Sequence, residues 1–434
     1  MTLGTVHNKP VNSPTSLMDR RSKTLGPYSP TFYDRPLHIV QAEGVWMKDI
    51  NGIKYLDAYN NVPHVGHANP RVVEAITAQA STLNIHTRYL NDRVVDYAEK
   101  LLSTFAERLD RIFFANSGSE ANELALRIAR QRSGAQGVIV TDFSYHGTTM
   151  ALAEMTTGLD VNEPLGKHVR AISIPDLDSA GISEAEALAA TLAQMDRHIE
   201  SLQSAGHGIA AMLFDPLFST EGLLRIPAGL VEGLASRVHA AGGLVIADEV
   251  QSGFGRTGER MWGHELYAFE PDLVTLGKPM GNGHPLAAVV TTADLLDFFG
   301  SSNMFFNTFA GNPVSSAAGE AVLQEIEDRQ LLASAESLGR RVRSDLEGMM
   351  AEHTFIRAVK GCGLYFGIDL ARDGQPAPDL AKAVVEEMLD RKVLISRIGK
   401  HNNVLKIRPP LVFDSKNVDQ LMEEMGKTLA SLKI

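Results

Sequence analysis

The sequence predicts an α/β protein in which helices cover a mostly parallel sheet and a smaller α+β domain follows. From about residue 70 to residue 325, short apolar segments typical of buried parallel strands alternate with segments of helical periodicity. Joined by right-handed crossovers, this alternation builds one open sheet with helices on its faces. A long helix, two further strands and a closing helix come next, which indicates a separate C-terminal unit.

Residues 1–69 come before the alternating part and contain a predicted β-hairpin. In the segment VWMKDINGIKYL, apolar residues stand on both sides of Asn51-Gly52, a dipeptide typical of hairpin turns. We therefore predict a small sheet ahead of the main one. The predicted large domain is residues 70–325, and the predicted small domain is residues 326–434 joined by residues 1–69.

The remaining predicted elements follow from periodicity and from the residues that interrupt it. Predicted helices of the large domain cover residues 71–83, 90–105 and 120–132. Its predicted strands are short and apolar, and they cover residues 111–115, 137–142, 210–214, 244–247 and 273–276. In the small domain we predict a long helix from residue 323, strands at residues 361–370 and 393–398, and a helix from residue 417.

Composition and charge exclude several classes of protein. The 434 residues are 44% hydrophobic and 21% charged, which is typical of a soluble globular protein with a large core. A net charge of −11 argues against a nucleic-acid partner, because binding to phosphate backbones needs a basic surface. No apolar segment approaches the roughly 18 residues of a membrane span, and the N-terminal residues contain no apolar region typical of a signal peptide, so we expect a protein that is neither membrane-inserted nor secreted. The single cysteine, Cys362, fits a cytoplasmic location.

An acid and an amine follow two neighbouring predicted strands in residues 243–285. The first strand ends at Asp248, and the second is followed by Lys278. Ligands of open α/β sheets bind at the carboxyl edge of the strands, so both side chains should meet there. An aspartate can hold a pyridine nitrogen protonated and a lysine can form a Schiff base, which are the two requirements of pyridoxal phosphate. Either residue alone would more simply be a polar end of a strand.

A predicted anion site lies between the strand at residues 111–115 and the next helix. The turn Asn116-Ser117-Gly118-Ser119 opens this helix, whose unpaired N–H groups attract phosphate. An ordinary serine N-cap without any ligand is the alternative.

Two other patterns are not taken as sites. Gly253, Gly255 and Gly258 spell G-x-G-x-x-G, but Gly263 and Pro271 interrupt the helix that a dinucleotide site needs. The histidine-containing loop YNNVPHVGH has no third ligand at useful spacing, so we expect no metal and interpret this loop as the wall of a pocket.

Several segments together resemble the class III, fold type I family of pyridoxal-phosphate aminotransferases. The resemblance covers essentially the whole chain and rests on ADEVQSGFG, LGKPMGNG, ANSGSEAN and FFNTFAGNP. It implies a large domain with a seven-stranded type of sheet, pyridoxal 5′-phosphate as cofactor, and a homodimer with shared active sites. It makes Lys278 the Schiff-base lysine and Asp248 the partner of the pyridine nitrogen. The other cofactor positions that it implies are Ser117, Gly118, Ser119, Tyr145, His146, Val250, Gln251 and, from the neighbouring subunit, Thr308.

Within this family the chain is most similar to the phospho-lyases that act on ethanolamine phosphate and phosphohydroxylysine. The segments that carry this likeness are YNNVPHVGH, KPMGNGHP, FNTFAGNPVS and KHNNVLKIRPP. They imply β-elimination of phosphate from O-phosphoethanolamine or a related phosphorylated amine, which gives acetaldehyde, ammonia and phosphate. The alternative is an aminotransferase that uses an omega-amine or alanine as donor and pyruvate or glyoxylate as acceptor.

Arg408 is the first candidate for binding a substrate anion. It matches an arginine that binds a substrate carboxylate in many relatives, and guanidinium suits carboxylate and phosphate alike. Some relatives pair that arginine with a gating glutamate, but Thr220 stands at the aligned position here. We therefore expect Arg408 to be free for an anion. His64 and Arg88 are further candidate donors.

Overall fold

The computed structural model describes residues 14–28 and 30–432, so residues 1–13 of the predicted N-terminal segment lie outside the described part. The described chain begins with helix α1 (Pro14–Leu25) and strands β1 (Ile39–Glu43), β2 (Trp46–Asp49) and β3 (Lys54–Asp57). Strands β2 and β3 form the predicted hairpin. Gly52 of the turn has φ of +83°, a conformation that glycine adopts without strain.

The middle of the chain alternates strands with helices. Its strands are β4 (Arg111–Ala115), β5 (Val138–Thr141), β6 (Val169–Ile172), β7 (Ala211–Phe214), β8 (Leu244–Asp248), β9 (Leu273–Leu276) and β10 (Ala287–Thr291). Its helices are α2 (Pro70–Ala80), α3 (Asp92–Leu102), α4 (Gly118–Ser133), α5 (Met150–Ala153), α6 (Glu184–Ser204), α7 (Leu230–Ala240), α8 (Ala293–Gly300) and α9 (Pro313–Asp328). All five strands predicted here are present, and β6 and β10 were not predicted.

These seven strands form one sheet in the order β4-β10-β9-β8-β7-β5-β6. Neighbouring strands from β9 to β6 are parallel, and only β10 runs antiparallel to its neighbours β4 and β9. The prediction of a mostly parallel, seven-stranded sheet is therefore confirmed.

Both faces of this sheet are buried, which explains why its strands have no polar face in the sequence. Val140 and Ile246 pack with residues of α4 on one face. Ile139 and Val245, each one position earlier, pack with α6 and α7 on the other face. Since successive side chains of a strand point to opposite faces, a strand covered on both sides must be apolar throughout.

The C-terminal part forms a second, antiparallel sheet with helices. Its elements are α10 (Leu331–Glu352), β11 (Ile356–Cys362), β12 (Tyr365–Arg372), β13 (Gln375–Pro376), α11 (Pro378–Asp390), β14 (Val393–Leu394), β15 (Ser396–Ile398), β16 (Val404–Ile407) and α12 (Ser415–Ser431). The sheet has the order β11-β12-β16-β15, with β13 on β12. Strand β14 is not part of this sheet. It pairs parallel with β3 and joins the N-terminal sheet β1-β2-β3-β14, so the N-terminal hairpin extends the C-terminal unit.

Three predicted elements of the C-terminal part are wrong. The strand predicted at residues 393–398 is two short strands, β14 and β15, which belong to different sheets. Residues 361–370 are not one strand, because the chain turns at Gly363 between β11 and β12. Gly363 has φ of +52° and packs so closely that an added Cβ would lie 2.3 Å from the carbonyl carbon of Thr257. The helix predicted from residue 323 is two helices, since Gln330 has φ of +50° and separates α9 from α10.

Candidate active site

Asp248 and Lys278 meet at the carboxyl edge of the large sheet. Strands β8 and β9 are parallel neighbours with Asp248 opposite Thr275, and Lys278 opens a single 3₁₀ turn just after β9. Lys278 has φ of +26°, a backbone conformation that residues with a side chain rarely adopt. Such backbone geometry persists only where the surrounding packing holds it, and it concentrates at functional sites.

Three donors hold the carboxylate of Asp248. His146 Nδ1 lies 2.7 Å and Asn122 Nδ2 2.9 Å from Oδ2, and the backbone N–H of Val250 donates to Oδ1 at 3.1 Å. Asn122 is itself fixed by Thr275, whose hydroxyl donates to its Oδ1 at 2.7 Å. Burial raises the pKa of Asp248, but His146, Lys278 and Asn122 together outweigh burial, and its pKa lies below the ordinary value. The carboxylate is therefore ionised, and Oδ1 can accept one more donor.

The surroundings of Lys278 favour the neutral form of its amine. Burial lowers its pKa, and the positive charge of Arg408 lowers it further, whereas Asp248 acts in the opposite direction. A lysine must be unprotonated to attack a carbonyl carbon or to take up a proton. The environment of Lys278 therefore favours both reactions.

The turn at residues 116–119 lies directly beside this lysine. Ser117 is the N-cap of α4 and its hydroxyl accepts the N–H of Glu120. An added Cβ on Gly277, the residue before Lys278, would lie 3.3 Å from the backbone nitrogen of Gly118. Gly118 in turn packs so that its own Cβ would lie 3.1 Å from Val250. The open N-terminus of a long helix thus stands next to the lysine, where a phosphate can bind.

Tyr145 and His146 face different directions at the end of β5. The Tyr145 side chain is exposed toward solvent, whereas His146 is only 5% exposed. We predicted a cofactor contact for His146, but its Nδ1 is used to hold Asp248. Tyr145 therefore has a ring face available for stacking on an aromatic ligand, and His146 acts through the aspartate.

Arg408 lies near enough to Lys278 to lower its pKa, but its guanidinium is not free, which corrects our expectation. Its Nη1 donates to the side-chain oxygen of Gln251, and its Nε and Nη2 lie 3.4 and 3.5 Å from the carbonyl oxygen of Tyr59. The guanidinium also lies over the rings of Tyr59 and Tyr365, at 5.6 and 5.2 Å from their centroids. Within residues 14–28 and 30–432 no carboxylate forms an ion pair with it.

The nearest carboxylate in the sequence to the gating position is one residue further along the chain. Thr220 is followed by Glu221, which is buried and accepts a hydrogen bond from the hydroxyl of Thr141. Burial raises the pKa of Glu221 to about 8, which favours the neutral carboxyl group. Glu221 therefore does not neutralise Arg408.

Lys406 is a second buried basic residue close to Arg408, and the sequence analysis did not predict it. It lies two residues before Arg408 in β16, and it is 7% exposed. Its Nζ is 5.8 Å from the ring of Tyr59 and 5.7 Å from that of Tyr365. Among the described residues it has no hydrogen bond or ion pair. The spacing of two in a strand, which puts both cations on one face, was the available signal.

His64 does not offer a donor to a ligand. Arg256 donates to its Nδ1 at 3.0 Å, so the ring carries its proton on Nε2, which bonds the carbonyl oxygen of Phe254 at 2.7 Å. Burial and the charge of Arg256 lower its pKa well below the ordinary value. We therefore do not keep His64 among the proposed substrate contacts.

Arg88 and Thr308 both lie on the exposed surface. The guanidinium of Arg88 stacks on Phe306, 3.9 Å from the ring centroid. Thr308 follows Asn307, which accepts a hydrogen bond from Asn116 of the turn before α4 at 2.9 Å. Neither residue contacts Asp248 or Lys278 within the part of the chain that the structure describes.

A lysine and an ionised aspartate at the edge of this sheet, with a helix N-terminus beside them, define an α/β enzyme of the fold type I, pyridoxal-phosphate class. A sequence model described as aminotransferase class-III matches residues 28–429. The chain belongs to the class-III aminotransferase family, and its cofactor is pyridoxal 5′-phosphate. The helix N-terminus suits the phosphate, Asp248 Oδ1 suits a protonated pyridine nitrogen, and Lys278 suits the aldehyde.

Comparison with individual proteins separates two activities. A solved phospholyase from Arthrobacter in complex with phosphoethanolamine is 59% identical, with a TM-score of 0.94, over 96% of this chain and 100% of that one. Ethanolamine-phosphate phospho-lyase homolog 1 of Caenorhabditis elegans is 36% identical over 97% of this chain and 94% of that protein. Alanine–glyoxylate aminotransferase 2-like of Drosophila melanogaster is 38% identical over 94% and 86%.

The helices were also compared with the requirements of a membrane span. In residues 14–28 and 30–432 no helix has the length and apolar character that crossing a bilayer requires.

Proposed function

We propose that this protein is a pyridoxal-phosphate-dependent phospho-lyase that removes phosphate from O-phosphoethanolamine or a related phosphorylated amine, giving acetaldehyde, ammonia and phosphate. The observation that carries the proposal is the pair of buried cations, Lys406 and Arg408, which no carboxylate neutralises among the described residues. Buried charges are normally paired. Two buried basic groups without an ion-pair partner favour binding of an anion of high charge, which stabilises the charged form of Lys406 against burial and the neighbouring cations. A phosphate dianion meets this need better than a single carboxylate.

The roles of the other residues follow from their positions. Bound pyridoxal phosphate supplies an electron sink for the carbon that bears the amine. Asp248 holds the pyridine nitrogen protonated, Lys278 anchors the cofactor and then removes the proton from this carbon, and Ser117, Gly118 and Ser119 hold the cofactor phosphate. Tyr145 and Val250 cover the two faces of the ring, and Gln251 positions Arg408.

The alternative function is transamination, in which the same carbon is deprotonated but no group leaves. An aminotransferase for omega-amines or alanine would use Arg408 for the carboxylate of a keto acid. The relative from Drosophila favours keeping this alternative. The unpartnered Lys406 favours the phospho-lyase, since one carboxylate needs one cation.

We also propose a homodimer in which each active site is shared. Thr308 is exposed on its own subunit, as a residue that serves a neighbouring cofactor phosphate must be. Arg88 is exposed as well, which allows it to approach the substrate anion of the neighbouring subunit. A cytoplasmic location stays a prediction that rests on the single cysteine.

The decisive experiment measures products without a keto acid. Purified protein loaded with the cofactor should release phosphate and ammonia from O-phosphoethanolamine in equal amounts over many turnovers, because elimination restores the starting form of the enzyme. A transaminase stops after one turnover unless an acceptor is present. Absence of phosphate release, together with conversion of alanine or an omega-amine in the presence of pyruvate or glyoxylate, would favour the aminotransferase.

A further inference from the structure

Lys406 differs from the other buried cations near it. Arg408 donates to Gln251 and to the carbonyl oxygen of Tyr59, and Arg256 donates to His64. Lys406 makes no hydrogen bond or ion pair in the part of the chain that the structure describes, and its Nζ lies 5.8 and 5.7 Å from the ring centroids of Tyr59 and Tyr365. Its ammonium thus has protons to give and no protein acceptor for them.

The proposed reaction requires a proton at this end of the pocket. Elimination breaks the bond between carbon and the ester oxygen, and the electron pair of this bond leaves with the phosphate. A dianion that leaves without a proton becomes a trianion, which a buried site stabilises poorly. A proton delivered to the departing oxygen gives hydrogen phosphate instead.

We propose that Lys406 is the general acid of this elimination and gives its ammonium proton to the departing phosphate oxygen. This inference rests on the proposed phospho-lyase function. Lys278 takes the proton of the carbon that bears the amine, the freed electron pair forms the carbon–carbon double bond, and the carbon–oxygen pair leaves with phosphate. The proton from Lys406 makes the product hydrogen phosphate, and Lys406 becomes a neutral amine.

The charges around Lys406 suit a group that alternates between two protonation states. Burial, Arg408 and Lys278 lower its pKa well below the ordinary value, and Asp215 acts in the opposite direction. A bound phosphate dianion raises the pKa again, because it lies against the ammonium. The proton is thus held while the substrate is bound and is easily released as the phosphate departs.

Replacing Lys406 by arginine separates proton donation from anion binding. Arginine keeps the positive charge but does not release a proton at neutral pH. With O-phosphoethanolamine, Lys406→Arg should lower kcat about 100-fold or more, with KM within about threefold, as for loss of a general acid. With 2-aminoethyl hydrogen sulfate, whose sulfate leaves without a proton, kcat of the variant should stay within about threefold of wild type. Lys400→Arg, at an exposed lysine that pairs with Asp142 and lies six residues before Lys406, is the matched control and should change the kinetics of neither substrate.

Two results would overturn the inference. Equal losses of kcat with both esters, or an unchanged kcat with the phosphate ester, would leave Lys406 as a binding residue only. If wild type itself releases no phosphate, the proposed function fails, and this outcome is distinct because it does not involve the variant.

Should Lys406→Arg not fold, the wild-type pH profile of kcat tests the inference instead. With the phosphate ester kcat should fall at alkaline pH, whereas with the sulfate ester it should not, and identical profiles would contradict the inference.

Discussion

His146 Nδ1 and Asn122 Nδ2 share one oxygen of Asp248, at 2.7 and 2.9 Å. Because a carboxylate only accepts hydrogen bonds, His146 must donate from Nδ1. Two donors on Oδ2 prevent rotation of the carboxylate, so Oδ1 keeps one direction. The acid is positioned before any ligand arrives.

Asp248→Asn should lower kcat by at least about 100-fold, a loss far larger than the change in stability. A neutral amide cannot hold a pyridine nitrogen protonated, although it has nearly the same shape as the acid. Steady-state kinetics and the thermal midpoint measure the two effects. A variant with a normal kcat would show that the ring nitrogen has another partner.

Lys278→Ala should abolish turnover and the visible absorbance of the lysine-bound cofactor, while the circular dichroism spectrum stays that of wild type. The lysine is both the covalent anchor and the base, so its loss removes two functions at once. Turnover at the wild-type rate would refute the central assignment.

Truncating Arg408 to alanine should raise KM for O-phosphoethanolamine about 10- to 100-fold, since a charge-assisted hydrogen bond contributes roughly 1.5–3 kcal/mol. Binding of a plain alkylamine, followed by the absorbance of the cofactor, should change much less. A thermal midpoint controls for the lost contacts to Tyr59 and Gln251. Equal weakening for both amines would place the anion elsewhere.

Glu221→Gln should make the protein more stable at pH 8 than wild type. Burial raises the pKa of Glu221 from 4.5 to about 8. Between these values the folded protein keeps a proton that the unfolded chain has lost, so wild-type stability falls as the pH rises through this window. The loss is on the order of a few kcal/mol. Urea unfolding at several pH values measures it, and an identical pH dependence in the variant would contradict the burial effect.

The protein should be a homodimer by light scattering, because a site that needs Thr308 of a second subunit cannot form in a monomer. Thr308→Val should weaken cofactor binding several-fold, and cofactor titration of the apoprotein measures this. A monomer with full activity would exclude shared sites.

Local patterns were sufficient to predict the residues at the sheet edge. Asp248 ends one short apolar strand, and Lys278 comes two residues after the end of another. Because these strands are parallel neighbours, both residues lie at the same edge of the sheet, whatever the rest of the chain does. Sequence alone could not place Lys406 in the pocket. Its burial depends on Tyr59 and Tyr365, which come from distant parts of the chain.

The same limitation explains the predictions that failed. Residue type made His64 a possible donor, but Arg256, far away in the sequence, donates to its Nδ1 and so fixes which ring nitrogen carries the proton. Arg408 was expected to be free because the gating position holds Thr220. Neutral acceptors such as the Gln251 side chain give no such signal in a sequence.

The pairing of β3 with β14 constrains the order in which the chain can fold during synthesis. Residues 54–57 leave the ribosome early, but their partner, Val393–Leu394, is made near the end. All seven strands of the large sheet lie between Arg111 and Thr291, so this sheet is complete before β14 exists. The nascent hairpin must therefore wait with one unpaired edge while the large domain folds, and a premature stop before residue 393 would leave that edge open to aggregation.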